Sequence, residues 1–153
     1  MRLSRNSKFV KMGNSGEKSI LDILKSKYPT VKKDAYEYAI FDFVERDEDN
    51  KIIRVFELKT RNAFIDTYPD FCFGKNKLDK ANELLEQKIE VYFLWYLKDN
   101  NKIGNRQLYY WRYSKDTNKK EYYIGEIKNT FLNQTAKPAV FVKTKYLSKI
   151  DFL

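Results

Sequence analysis

The chain contains no histidine and a single cysteine, Cys72. Without histidine there is no imidazole general base and no histidine-ligated zinc site. One cysteine excludes an internal disulfide and a four-cysteine zinc site, and suits a reducing compartment. Any metal must be held by oxygen ligands, which favours Mg²⁺, Mn²⁺ or Ca²⁺. No apolar run approaches the roughly 18 residues of a membrane span. Residues 1–10 are basic but lack the apolar stretch of a secretory leader. The expected setting is intracellular, in the cytoplasm or a host-cell compartment that contains DNA, and not secreted. No internal repeat and no linker divides the 153 residues, so a single domain is expected.

Positive charge is present in excess. Lys and Arg number 30 against 21 Asp and Glu, a net charge of +9. A polyanionic partner follows, nucleic acid before an anionic membrane surface, with simple solubility as the plainer alternative. Hydrophobic residues make up 42%, with 12 Tyr and 11 Phe, enough to build a core.

The stretch 36–61 concentrates the chemistry. Two strand-like runs flank the polar segment Arg46-Asp47-Glu48-Asp49-Asn50. Tyr38, Ile40, Asp42 and Val44 alternate onto one face of the first, and Ile53, Val55, Glu57 and Lys59 onto one face of the second. Asp42 and Glu57 therefore sit on otherwise apolar faces, where an ionised carboxylate is costly unless paired or bound to a cation. A two- or four-residue loop around Asp49-Asn50 sets Asp42 directly opposite Glu57, whereas a three- or five-residue loop breaks that register. Opposed carboxylates repel. A divalent cation between them, with Lys59 two residues along, removes the conflict.

Around this hairpin the spacing predicts further elements. Residues 14–28 read as a helix with Ile20, Leu21, Leu24 and Tyr28 on one face, started by Asn14 and Glu17 and ended by Pro29. Glu17 shares the inward face, so it serves as a cap, a site residue or both. Residues 30–34 read as a polar link or edge strand, 61–74 as a loop, and 75–88 as a second helix with Leu78, Ala81, Leu84 and Leu85 inward. Lys75, Lys77 and Lys80 crowd the start of that helix against its dipole, which hints at an external anion, a solvated face being the plainer reading. Residues 89–97 read as a buried central strand and 99–105 as a turn. Residues 107–113 and 121–127 read as a second hairpin, 128–133 as a short helix or loop, and 139–144 as a final strand. Most C-terminal aromatics are expected in the core or in dimer packing; Tyr109, Tyr110, Trp111, Tyr113, Tyr122 and Tyr123 could otherwise stack on bases beside Arg106 and Arg112.

Helix with Glu17, strand with Asp42, strand with Glu57-Leu58-Lys59, helix, buried strand: over residues 14–97 this order resembles the PD-(D/E)xK nuclease superfamily, including its Holliday-junction-resolvase-like and phage exonuclease-like branches. Phe41 stands where that motif often has proline. The resemblance implies an α/β (α+β) restriction-endonuclease-like fold, a mixed central β-sheet flanked by helices. To this the chain adds a basic arm at 1–13 and an extra C-terminal β-hairpin within a β-rich extension, 98–153. It further implies Asp42, Glu57, the Leu58 carbonyl and Glu17 as ligands of Mg²⁺ (or Mn²⁺), Lys59 as the catalytic lysine, and a Mg²⁺-dependent endodeoxyribonuclease. Arg61, Lys75, Lys77 and Arg112 are the expected nucleic-acid contacts, DNA being preferred over RNA, and a homodimer suits cleavage of both strands of a duplex. The alternatives are a catalytically inactive nucleic-acid-binding or assembly module on the same fold, and a protein-interaction domain in which Glu57 and Lys59 form a surface ion pair.

Overall fold

The computed structural model describes residues 19–34, 41–127 and 136–150. The expectations for the basic arm, Glu17, Tyr38, Ile40 and residues 128–133 lie outside them. Helix α1 covers residues 19–27. It is followed by strands β1 (Lys32–Lys33), β2 (Phe43–Arg46), β3 (Ile52–Thr60) and β4 (Asp70–Gly74), and by helix α2 (Lys75–Glu86). Then come β5 (Glu90–Lys98), β6 (Arg106–Tyr113), β7 (Tyr122–Ile127), β8 (Lys137–Lys143), a 3-10 turn (Thr144–Tyr146) and β9 (Ser148–Lys149). Among the described residues, no helix is long and apolar enough to cross a membrane.

Six strands form a mixed sheet in the order β1-β2-β3-β5-β6-β9, and three form an antiparallel sheet in the order β4-β8-β7. β3 and β5 are parallel, joined by a crossover through β4 and α2; the other pairs are antiparallel. A parallel pair requires such a crossover, and it buries both faces of its strands. That explains the nearly continuous apolar run of β5. Val91, Phe93, Trp95 and Leu97 pack on one side with β4, β8 and α2, and Tyr92, Leu94 and Tyr96 on the other with α1. The large sheet ends in two-residue edge strands, β1 and β9, which leave little open backbone to pair with another chain.

The β2–β3 hairpin reaches the expected register by an unexpected route. Phe43 pairs with Phe56, Val44 with Val55 and Glu45 with Arg54, which brings the next positions outward, Asp42 and Glu57, level with each other. The tip is odd-numbered. Asp47 N–H donates to the Lys51 carbonyl (2.9 Å), Asn50 N–H to the Asp47 carbonyl (3.0 Å), and Asn50 takes the left-handed conformation (φ 65°). Such a tip alone would misalign the strands. A β-bulge corrects it: Arg46 pairs with Ile52, so Ile53 is the extra, unpaired residue. The bulge also turns Ile53 to solvent and sets Ile52 against the core beside Val55, reversing the expected placement of Ile53.

Two further expectations are corrected. The loop expected at 61–74 contains β4, whose Phe71 and Phe73 alternate into the core around Cys72. β6 and β7 are not a hairpin: β6 pairs with β5 and β9, whereas β7 pairs with β8 in the other sheet. Consequently β8 is not the last strand. The C-terminal aromatics mostly pack as expected, Trp111 and Tyr113 buried and Tyr123 exposed.

Across the large sheet, charge ties four strands together. Arg54 is ion-paired with Glu45 on β2 and Glu90 on β5, Arg112 on β6 reaches Glu90 at 3.0 Å, and Thr30 Oγ1 donates to Glu45 at 2.8 Å. Glu45 is only 6% exposed. Removing its cation leaves a buried, unpaired carboxylate, so Arg54→Met is expected to cost about 3 kcal/mol, read by urea unfolding. A loss under roughly 0.5 kcal/mol, the scale of ordinary surface substitutions, would show that the network does not hold the sheet.

Candidate active site

The β2–β3 ladder ends at the Phe43–Phe56 pair, and Asp42 stands one residue beyond it. Two contacts fix it there. Its backbone carbonyl accepts from Asp34 N–H at 3.0 Å, and its Oδ2 accepts from Leu58 N–H at 2.7 Å. The carboxylate thus takes the place of the next ladder bond. Because a strand residue projects its N–H and C=O to the same side, the Leu58 carbonyl is turned towards Asp42 as well.

Glu57 shares the core-facing side of β3 with Val55 and is 4% exposed. Its Oε2 lies 2.8 Å from Lys77 Nζ, which reaches over from the first turn of α2 above the Phe41 ring. Burial pushes the Glu57 carboxyl up from 4.5 to about 7. The Asp42 carboxyl adds to the rise through its charge and through a carboxyl–carboxyl hydrogen bond, and Lys77 pulls it partly back. Two acids in contact need a shared proton or a cation between them.

Two carboxylates and one carbonyl form an all-oxygen set, the chemistry that suits a hard divalent cation. Glu57 is buried beside a second acid, Asp42, and burial first and the Asp42 charge second push its carboxyl up, so the place suits a cation between the two. Among the described residues, no group of three or more acidic, histidine or cysteine side chains is placed to hold a metal.

Lys59 follows on the same side of β3, half-exposed and level with Trp95 of β5. Arg61 is exposed just past the strand, its N–H donating to the Tyr96 carbonyl at 3.1 Å. Burial pushes the Cys72 thiol up while Arg61, Asp70 and Lys59 act on it through their charges, so both cations lie within electrostatic reach of β4. The other expected contacts separate. Lys75 is paired with Asp79 of its own helix at 3.0 Å. Arg112 pairs with Glu90 beside the Tyr92 ring, on the α1 side of the sheet and therefore opposite Glu57. Lys77, expected at phosphate, has a carboxylate of the site as its partner. Sequence signalled only that lysines crowd this helix start without an acid in the first turn.

Comparison with family models finds no match to the chain, and comparisons with curated proteins and with solved structures find none either.

The pH dependence of folding tests the geometry. With its folded value raised above the unfolded one, Glu57 contributes full stability below pH 4.5, and that contribution is lost as pH rises through about 7. Between pH 4 and pH 8 the wild type should therefore lose roughly 3 kcal/mol more than Glu57→Gln, measured by urea denaturation. Parallel pH profiles for the two proteins would show that the carboxyl is not raised.

Proposed function

We propose that the chain is a divalent-cation-dependent nuclease that hydrolyses phosphodiester bonds in DNA, with a site of the PD-(D/E)xK kind. The observation that carries this reading is the Asp42–Glu57 pair. The two acids are held in contact on a buried sheet face, Glu57 is raised to about 7, and a lysine stands two residues along. Asp42, Glu57 and the Leu58 carbonyl are the groups that would hold Mg²⁺ or Mn²⁺. Glu17 is proposed as a further ligand. When bound, the cation supplies charge neutralisation at the phosphate and a more acidic water.

The chain's own residues do the rest. The Leu58 N–H holds Asp42 through Oδ2, which leaves the second oxygen to serve as a ligand. Lys59 places an ammonium where charge develops on the scissile phosphate and orients the attacking water. Lys77 favours the ionised form of Glu57, the form that can act as a ligand. The net charge of +9, with Arg61 beside the site, holds the polyanion with salt-sensitive affinity.

One observation favours a second reading. Lys77 already supplies a cation to Glu57, so the pair is partly neutralised without a metal, as in a nucleic-acid-binding or assembly module that does not cleave.

Nicking of supercoiled plasmid separates the two. The wild type should nick with Mg²⁺ or Mn²⁺ and not with EDTA, and Asp42→Asn and Lys59→Ala should each be slower by about 100-fold or more. Equal nicking by all three proteins would overturn the site. DNA binding without nicking by the wild type under any of these cations would select the module.

A further inference from the structure

On the α1 side of the large sheet, away from Asp42 and Glu57, lies a cavity of about 220 Å³. It opens between the end of α1 and strands β3, β5 and β6. Its floor is Phe56 and Leu94, each 1% exposed, and its walls are the rings of Tyr28, Tyr92 and Tyr110. Phe56 and Tyr92 stack with centroids 5.3 Å apart, Tyr28 leans on both at 5.6 and 6.3 Å, and Tyr110 meets Tyr92 at 6.2 Å. Arg54 lies over the Tyr28 ring at 4.2 Å and fixes that wall. Lys27 and Arg112 stand at the cavity's border. The acid nearest to Arg112, Glu90, is engaged by Arg54 through one oxygen and by Arg112 through the other.

Size and chemistry together select the occupant. The volume lies below the roughly 300–1,000 Å³ of clefts that take a whole ligand, so it admits one flat ring system and not a complete nucleotide. Aromatic walls offer stacking to any base, and the cations at the border suit the phosphate that must then remain outside. The Tyr92 hydroxyl is pushed up to about 12, by burial first and then by its hydrogen bond with Tyr28, so it stays a neutral hydrogen-bonding group at physiological pH. We infer that this slot seats one unstacked base of a single-stranded nucleic acid, its phosphate held by Lys27 and Arg112. Being on the opposite side of the sheet from the carboxylates, it is a second site that binds without a divalent cation and independently of cleavage.

Fluorescence anisotropy in EDTA tests it, with labelled (dT)12 single strand and a 12-base-pair duplex as probes. The single strand should bind more tightly than the duplex. Tyr110→Ala should weaken it roughly tenfold, the scale of one lost base stack, and Tyr110→Phe should restore it. Arg112→Gln, a change at an exposed side chain, should also weaken it several-fold. Thymidine monophosphate should displace the strand at concentrations where inorganic phosphate does not. Wild-type affinity in both Tyr110→Ala and Arg112→Gln, or equal competition by phosphate alone, would overturn the slot. Binding of the monophosphate without binding of the strand would overturn the single-strand assignment and leave a free nucleotide as the ligand. Because the strand is bound in EDTA, wild-type binding of it beside absent plasmid nicking would overturn the nuclease reading alone, which keeps failure of the slot distinct from failure of that reading.

Discussion

Asp42 and Glu57 occupy neighbouring positions on one face of the sheet, and the rest of the structure is arranged around the cost of keeping them there. Placing a carboxylate in an apolar layer is expensive, and placing a second beside it is more so. The chain meets this cost with three groups from two elements, β3 and α2. The Leu58 N–H satisfies one oxygen of Asp42, the Lys77 ammonium from α2 sits on Glu57, and Glu57 yields part of its charge by binding protons more tightly. A fold concerned only with stability would place apolar side chains at both positions, since buried ionic groups rarely improve on well-packed hydrocarbon. Retaining the acids identifies this face as the part of the molecule where stability has been given up.

Elsewhere the sheet is heavily secured. The Glu45–Arg54–Glu90–Arg112 chain of ion pairs crosses β2, β3, β5 and β6, and an apolar, aromatic-rich core packs against each face of the sheet. Phe73 stacks on Phe93 with centroids 4.0 Å apart and Trp111 donates to Glu121 at 3.1 Å, so the small sheet is fastened to the large one by ring packing and a polar tie. Rigid strands on one side of the site and a helix start on the other give Lys59 and Lys77 fixed origins. A constellation meant to hold a reactant needs that kind of support.

Much of the framework is legible in the residues, because periodicity and burial are local. The α1 face, the α2 stripe and the buried run of β5 follow directly from it, whereas the register that levels Asp42 with Glu57 does not. Loop parity was the wrong guide to that register. The tip is odd, and the extra residue at Ile53 restores alignment, an irregularity that no alternation of polar and apolar residues announces. β4 could have been read from the alternation Asp70-Phe71-Cys72-Phe73, but five residues amid turn-forming neighbours give a weak signal. The β6–β7 hairpin misled for a different reason. Adjacent strands joined by a polar turn usually pair, yet Trp111 and Tyr122 meet edge to face across the core, with centroids 5.5 Å apart, in preference to sharing a ladder. Lys77 was visible only as one of several lysines. Its partner comes from another element, and pairing of that kind is a property of tertiary structure.

The small sheet carries a consequence for how the molecule is made. Its middle strand, β8, comes late in the chain and pairs with β4, as Asp70 meeting Lys143 shows, while β9 closes the large sheet against β6. These are the strand pairings of longest sequence separation, and such pairings are slow to form because loop closure must come before any reward. β4 leads directly into α2, so the helix start that carries Lys77 is anchored in its sheet only when the C-terminal third of the chain has been synthesised and has folded back. A ribosome-bound fragment that ends before β8 carries Asp42, Glu57, Lys59 and Lys77 but not the strand that β4 pairs with.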